Sequence, residues 1–173
     1  MNFYYDELET PLGPMTLLMK EKSIIRLDWG KASELKPFRE KWLKKHFPHE
    51  DYIVTPALLE QEKDTLQNYF SGKNTWDELE VELVGTPFQK KVWTHLYQSV
   101  FYGQTVTYKH LALAAGNEKA VRAVGGAVNK NPLTILVPCH RVIGSDGKLV
   151  GYNGGLNKKE YLLELEQEVL RNR

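Results

Sequence analysis

The sequence predicts a mixed α/β (α+β) fold in two domains, residues 1–84 and 85–173. Short apolar runs separated by turn residues near the start indicate strands, and later apolar spacings indicate helices. The composition changes near residues 82–85, and the second part contains two short helical patterns joined by a glycine turn. With 173 residues, the chain is long enough to bury one large core or two small ones.

The first domain is predicted to contain three strands followed by two helices. Residues 3–5, 15–19 and 24–29 are the strand candidates. The spacing of Leu35, Phe38 and Trp42 predicts a helix that ends near residues 47–48. A second helix is predicted to begin at residues 55–56, with the threonine as its cap and the proline in its first turn, and to end at residues 71–72.

The second domain carries a helix-turn-helix pattern. Thr86-Pro87-Phe88-Gln89 is a capping-box sequence that predicts a helix start. Thr107 is predicted to cap a short helix, and Gly116-Asn117 to form the turn before a helix over about residues 118–129. This last helix is the candidate for reading DNA.

The candidate DNA-reading helix has two unusual features. Gly125 and Gly126 in its interior each cost about 1 kcal/mol relative to alanine, so close packing against another backbone or against DNA should offset that cost. Arg122 lies off the apolar stripe of Val121, Val124 and Val128, and we expect it to point outward, either into solvent or towards DNA.

The only cysteine of the chain, Cys139, follows an apolar run over residues 133–137 that predicts a strand. It directly precedes His140 and Arg141. A thiol beside a base and a cation can form a thiolate near neutral pH, although an isolated cysteine is more often an inert buried residue.

The chain after Cys139 predicts a wing and a closing helix. Residues 143–150 contain an Asp-Gly turn between two strand patterns, which predicts a hairpin and, with the helices before it, a winged-helix module. A final helix is predicted from about residue 157, with Tyr161, Leu162, Leu165 and Val169 facing inward.

Composition and charge indicate a partner and a location. Residues 85–159 hold ten Lys and Arg against two acidic residues, although the whole chain carries a net charge of +1. Such a basic segment indicates a polyanion partner, with a solvated basic face as the alternative. No apolar run approaches the length of a membrane span, and one cysteine excludes a thiolate-rich zinc site. We therefore expect a cytoplasmic protein.

Residues 86–166 resemble the O6-alkylguanine-DNA alkyltransferases. The resemblance is carried by three segments: Arg122 to Ala127 (RAVGGA), Asn131-Pro132 to Pro138-Cys139-His140-Arg141-Val142, and Tyr152-Asn153-Gly154-Gly155-Leu156. It implies a ribonuclease-H-like topology for residues 1–84 and a winged helix for residues 85–173.

The resemblance also implies a reaction. Cys139 would take an alkyl group from O6 of guanine once, without a cofactor, and His140 would act as its base through a water. Glu166 would orient His140, and Asn131 would hold the turn around the cysteine. Tyr108 and Lys159 would assist the departing guanine.

The implied partner is double-stranded DNA containing O6-alkylguanine, and O4-alkylthymine is a possible second lesion. The damaged nucleotide would be flipped out of the helix, Arg122 would fill the gap, and small residues would permit close approach. No metal is expected, and the protein should act as a monomer.

The DNA-binding residues would be Tyr108, Lys109, Asn117, Arg122, Ala123, Gly125, Gly126, Arg141 and Ser145. The substrate pocket would be formed by Val142, Tyr152, Asn153 and Gly154, and Asn153 replaces a serine found in some relatives.

Three other functions are alternatives to alkyl transfer. A non-catalytic lesion-binding protein of the same fold would normally lack the acceptor thiol. A winged-helix transcription factor would need neither Cys139 nor two adjacent glycines in its DNA-reading helix. A thiol hydrolase would use cysteine and histidine but predicts turnover and indifference to DNA.

Overall fold

The computed structural model describes residues 1–73 and 76–173. These residues form two compact units, Met1–Val84 and Gly85–Arg173, and the predicted mixed α/β class is confirmed. No helix within the described ranges has both the length and the apolarity needed to cross a membrane.

The first unit is built on a four-stranded sheet with the order β3-β2-β1-β4. The three predicted strands are confirmed as β1 (Asn2–Thr10), β2 (Gly13–Lys20) and β3 (Ser23–Trp29), which pair antiparallel. β4 (Ile53–Pro56) adds to the free side of β1 in the parallel direction.

The first helix, α1 (Ala32–His46), ends where its apolar spacing predicts. Its buried Leu43 forms a core cluster with Phe3, Leu18 and Ile25 of the sheet. Burying four large apolar side chains together contributes about 1.5–3 kcal/mol each, so this cluster holds α1 against the sheet.

The predicted start of the second helix is wrong. Thr55 and Pro56 lie in β4, and α2 (Glu60–Phe70) begins four residues later. The carboxylate of Asp6 on β1 accepts a hydrogen bond from the backbone N–H of Leu59 at 3.0 Å. The cap therefore comes from a strand distant in sequence and not from a residue beside the helix.

The second unit consists mainly of helices. Trp93 donates its indole N–H to the backbone oxygen of Ala127 at 2.8 Å, which ties the first of these helices to the third. A two-stranded parallel sheet completes the unit. The elements are α3 (Pro87–Ser99), β5 (Val106–Thr107), α4 (Tyr108–Ala114), α5 (Val121–Asn129), β6 (Val142–Ile143) and α6 (Leu156–Arg171).

The predicted caps of α3 and α4 are confirmed. Thr86 and Gln89 form a reciprocal capping box, with hydrogen bonds of 3.0 and 3.2 Å. The hydroxyl oxygen of Thr107 accepts from the backbone N–H of His110 at 3.0 Å. Each cap satisfies donors that the first turn of a helix leaves unpaired.

The candidate DNA-reading helix is shorter than predicted. α5 begins at Val121, because Asn117 accepts a bond from the backbone N–H of Lys119 at 3.0 Å within a separate turn. The buried face of α5 contains Val124 and Val128 as predicted, but Val121 is 39% exposed.

Two predicted strand regions in the second unit are wrong. Residues 133–137 form a tight turn, in which Val137 N–H donates to Leu133 O at 2.8 Å and Ile135 has a φ of 71°. The predicted hairpin over residues 143–150 has no second strand. Its turn is closed by two backbone bonds of 2.9 Å each, from Gly144 N–H to Lys148 O and from Gly147 N–H to Gly144 O.

α6 follows its predicted range with one difference in its faces. Leu162 is buried as expected, and Leu165 and Val169 are partly buried. Tyr161 was predicted to face inward but is 37% exposed. The inward positions are taken by Lys159 and Glu166, because both of these charged side chains have buried polar partners.

Candidate active site

Asn131 organises the turn before the cysteine. It is buried, and its Oδ1 accepts from the backbone N–H of Leu133 at 2.9 Å. Its Nδ2 lies 2.8 Å from the backbone oxygen of Val137, 3.3 Å from that of Leu133 and 2.8 Å from Sγ of Cys139. One amide therefore fixes both ends of the turn and donates to the sulfur.

Cys139 begins a 3₁₀ turn, Cys139–Arg141, and is buried. Burial raises the pKa of the Cys139 thiol, while the Asn131 hydrogen bond and the charge of Lys159 act in the opposite direction without overcoming it. The resting group is consequently a thiol at neutral pH. It needs a nearby base before it can react as a thiolate.

His140 and Glu166 form a fully buried pair, with Nε2 of the histidine 2.8 Å from Oε2 of the glutamate. Burial lowers the pKa of His140 despite the opposing effect of Glu166. Burial alone would raise the pKa of Glu166, but hydrogen bonds from His140 and Arg141 hold it below its usual value. The carboxylate is ionised and can only accept, so the neutral imidazole donates from Nε2 and keeps Nδ1 as its basic nitrogen.

The structure corrects the placement of Arg141 among the DNA-binding residues. Only 7% of Arg141 is exposed. Its guanidinium contacts the carboxylate of Glu166 and donates to the backbone oxygen of Val100 at 2.7 Å. Because these partners occupy it inside the unit, Arg141 does not reach a DNA surface.

Lys159, which the resemblance implies would assist the departing guanine, does not line the pocket that contains Cys139. The side chain is fully buried, and its ammonium donates to the backbone oxygens of Val142, Val150 and Gly151. Burial lowers the pKa of Lys159, with Cys139 acting in the opposite direction. Lys159 therefore ties residues 150–151 to β6.

A pocket of about 640 Å³ opens onto Cys139. Tyr108 lines it and donates its hydroxyl to the backbone oxygen of Val150 at 2.9 Å. Burial, with Cys139 as the second cause, raises the pKa of Tyr108, so its hydroxyl stays protonated. The predicted site residues that line this pocket are Tyr108, Lys109, Gly125, Cys139, Ser145, Tyr152 and Asn153.

Half of the pocket lining was missed by the sequence predictions. Three of the missed residues are valines, which make much of the wall apolar, and one is the acidic Glu118. The period of α5 could have indicated two of them, since Val121, Gly125 and Val128 share a helix face. The missed residues are Glu118, Val121, Val128, Asn129, Gly144, Val150 and Gly151.

Two predicted pocket residues do not line the pocket. Val142 is fully buried and contributes its backbone oxygen to Lys159, and Gly154 is only partly buried. The catalytic candidates Asn131, His140 and Glu166 lie buried behind Cys139 and not on the pocket wall. The pocket thus presents the sulfur, while the groups that act on it are shielded from solvent.

The remaining DNA-binding candidates are exposed, as the prediction requires: Asn117, Arg122, Ala123 and Gly126. A methyl group added at Gly125 or Gly126 would meet no described atom within 4 Å outside the local helix. Close packing within the chain therefore does not explain the two glycines. Approach of DNA is the other explanation that the sequence offers, and it stays a prediction.

The site contains the parts of a base-assisted nucleophile. A thiol faces the pocket, and its neighbour in sequence is a neutral imidazole held by an ionised carboxylate. Cysteine, histidine and glutamate are residue types that can fill the roles of nucleophile, base and orienting acid in a catalytic triad. Across residues 1–73 and 76–173, no group of three or more His, Cys, Asp or Glu is arranged to hold a metal ion.

Comparisons with known proteins agree over nearly the whole chain. Residues 3–83 match the family described as "6-O-methylguanine DNA methyltransferase, ribonuclease-like domain", and residues 87–168 match its "DNA binding domain". A methylated-DNA–protein-cysteine methyltransferase of Methanosarcina barkeri is 44% identical over 97% of this chain and 99% of its own length. A protein of the same name from Mycobacterium tuberculosis is 38% identical over 95% of this chain and 92% of its own.

Solved structures give the same result. The Mycobacterium tuberculosis OGT in complex with DNA superposes with a TM-score of 0.77 at 36% identity, covering 96% of this chain and 94% of that one. The O6-methylguanine methyltransferase of the same organism gives a TM-score of 0.78 at 37% identity, covering 96% and 93% of the two chains. The chain therefore belongs to the O6-methylguanine DNA methyltransferase family.

Proposed function

We propose that this protein repairs O6-alkylguanine in double-stranded DNA by moving the alkyl group to Cys139, once per molecule. The observation that carries the proposal is the position of Cys139, whose thiol faces the pocket beside the buried His140–Glu166 pair. The relatives' names describe transfer from methylated DNA to a protein cysteine, which is the same reaction class.

The transfer is a direct displacement. Nδ1 of His140 takes the thiol proton through a water, and Sγ of Cys139 attacks the alkyl carbon. The bond between that carbon and O6 breaks, its electron pair stays with guanine, and guanine regains a proton. The product is a thioether, which is a poor leaving group, so the cysteine is not regenerated.

Two further residues are proposed to assist this step. Asn131 donates to Sγ at 2.8 Å and so stabilises the negative charge that develops on the sulfur. The Tyr108 hydroxyl, which lines the pocket and stays protonated, is proposed to donate to the departing guanine in place of the backbone oxygen of Val150. Lys159 contributes positive charge behind the sulfur, not a contact with the base.

The lesion reaches Cys139 only if the nucleotide leaves the base stack. The exposed Arg122 on α5 is proposed to occupy the vacated space. Ala123, Gly125 and Gly126 leave α5 without bulky side chains on its DNA-facing surface. Lys109, Asn117 and Ser145 are proposed to contact phosphates. We take the two units as two domains of a protein that acts as a monomer.

The proposal is tested by a dose experiment with duplex DNA that carries one radiolabelled O6-methylguanine. Transferred label should rise with protein and stop at one methyl group per molecule, however large the excess of DNA. Cys139→Ser should transfer nothing and still bind the duplex. Repeated turnover, or label on the Cys139→Ser protein, would contradict the proposal.

A further inference from the structure

We propose that Arg141 is a positioning residue for this transfer, acting on His140 through Glu166. The inference rests on the proposed transfer to Cys139. Arg141 follows His140 in the same 3₁₀ turn. That turn therefore carries both His140, the proposed base, and Arg141, the cation that contacts Glu166.

The guanidinium of Arg141 is fixed at two ends. Its Nε lies 2.6 Å from Oε1 and 3.2 Å from Oε2 of Glu166, and its Nη2 lies 2.5 Å from Oε1. On the other side its Nη1 donates to the backbone oxygen of Val100 at 2.7 Å. A planar guanidinium that is anchored in this way holds the Glu166 carboxylate in one orientation. Its positive charge also favours the ionised form of that carboxylate.

The backbone after α3 adds another donor to the same carboxylate. The N–H of Gly103 lies 3.3 Å from Oε1 of Glu166, and Gln167 donates its side-chain amide to Gly103 O at 2.8 Å. Gly103 has a φ of 80°, and a methyl group there would lie 2.0 Å from Cδ1 of Leu170. The absence of a side chain at this position lets the backbone approach α6.

These contacts give the two carboxylate oxygens of Glu166 different partners. Oε1 takes its closest contacts from Arg141 and Gly103, so Oε2 is the oxygen that meets Nε2 of His140. With the carboxylate ionised and unable to turn, His140 has one tautomer available, the one with its basic nitrogen at Nδ1. Arg141 thereby selects the form of the base that can accept the thiol proton.

The charges around His140 determine what losing Arg141 should do. Glu166 and Lys159 face it from α6, Cys139 and Arg141 lie in its own turn, and Tyr102 faces Arg141 and Glu166 from the backbone after α3. Glu166 favours the protonated ring, whereas Arg141 and Lys159 oppose it. Removing the positive charge at residue 141 should therefore make His140 easier to protonate.

The test uses Arg141→Lys, which keeps the charge but loses the fork, and Arg141→Gln, which loses the charge. Single-turnover rates with free O6-benzylguanine would be measured against pH. Arg141→Lys should lower the plateau rate at least roughly ten-fold and leave the acidic limb of the profile where it is. Arg141→Gln should also move that limb to higher pH by about one unit.

Duplex binding separates this role from a DNA contact. Measured with Cys139→Ser in the background, both Arg141 variants should bind duplex within about two-fold of the parent, with an unchanged salt slope. Loss of a phosphate contact would instead lower the slope by about 0.9. That result, or rates and pH profiles equal to those of the wild type, would overturn the inference.

Arg26→Lys is the matched structural control. Arg26 is also buried and forms a bidentate pair with Asp28, at 2.7 and 2.8 Å, in the other unit. The Arg26→Lys variant should be less stable than the wild type, and the pH profile of its single-turnover rate should be unchanged. If Arg141→Gln does not fold, two measurements on Arg141→Lys test the inference instead. They are its single-turnover rate and the ¹⁵N chemical shifts of its His140 ring, which report the tautomer. A wild-type protein that transfers no alkyl group would instead refute the proposed function.

Discussion

The side-chain amide of Asn131 lies 2.8 Å from Sγ of Cys139 and 2.8 Å from the backbone oxygen of Val137. The residue that shapes the turn is therefore also the residue that donates to the nucleophile. Stability and reactivity depend on the same side-chain NH₂ group, and a change at Asn131 should affect both.

Asn131→Asp should lower both the free energy of unfolding and the single-turnover rate. The replacement keeps the shape of the side chain but puts a carboxylate beside Sγ and the carbonyl of Val137, where an N–H donor is needed. We expect a loss of about 2–4 kcal/mol in the free energy of unfolding. The single-turnover rate should fall roughly a hundred-fold as the pKa of Cys139 rises further. Asn157→Asp on the exposed start of α6 is the control, and an Asn131→Asp protein with wild-type rate would contradict the role given to Asn131.

His140 should make the folded protein less stable in mild acid. Its pKa is lowered from 6.5 in the folded state, so below pH 6.5 the unfolded chain binds a proton that the folded chain does not. The free energy of unfolding should therefore decrease as the pH falls from 6.5 towards the folded pKa, by at most about 1.4 kcal/mol per pH unit.

Urea unfolding between pH 5 and 7 checks this expectation. His140→Gln should flatten the dependence on pH. The same substitution at His46, whose pKa is also lowered but which is only partly buried, should flatten it less. Equal slopes for the wild type and His140→Gln would show that His140 is not the group responsible.

Arg122→Ala should separate reaction on DNA from reaction with a free base. Because only a duplex requires the nucleotide to be flipped, repair of duplex should slow by about ten-fold or more. Reaction with free O6-benzylguanine should stay near the wild-type rate. Arg171→Ala, at an exposed arginine near the end of α6, is the control and should change neither rate. Equal losses on both substrates would remove the flipping role of Arg122.

Gly126→Ala should stabilise the protein and impair its binding to DNA. The added methyl group meets no described atom within 4 Å, so the helix should gain about 0.5–1 kcal/mol. The same methyl group would stand between α5 and an approaching duplex. Urea midpoints and duplex affinities measure the two effects. A stabilised variant with unchanged duplex affinity would mean that DNA does not approach α5 at this position.

Local signals in the sequence predicted the parts of the fold that depend on neighbouring residues. The capping box at Thr86 and the Thr107 cap use residues within one turn of the chain, and both are confirmed. The start of α2 was misplaced because its cap, Asp6, is 53 residues away from Leu59. The apolar run over residues 133–137 predicts a strand, but the side chain of Asn131 holds these residues in a turn, and a local pattern does not show that bond.

In the candidate site too, the features that depend on neighbouring residues are visible in the sequence, and those that depend on distant partners are not. The order of Cys139 and His140 is visible in the sequence, as is the glycine pair on α5. Sequence alone could not show that Arg141 and Lys159 are buried, since charged residues are mostly exposed and only their partners explain the exceptions. Those partners include the backbone oxygens of Val100 and Val142, which leave no trace in the sequence.

The central claim is that Cys139 is an acceptor used once. The most direct measurement is the intact mass of the protein before and after incubation with an excess of duplex containing O6-methylguanine, followed by the mass of the peptide that contains residue 139. The account predicts a gain of one CH₂ group per molecule, confined to that peptide. An unchanged mass while the lesion disappears, or a methyl group on another residue, would contradict it.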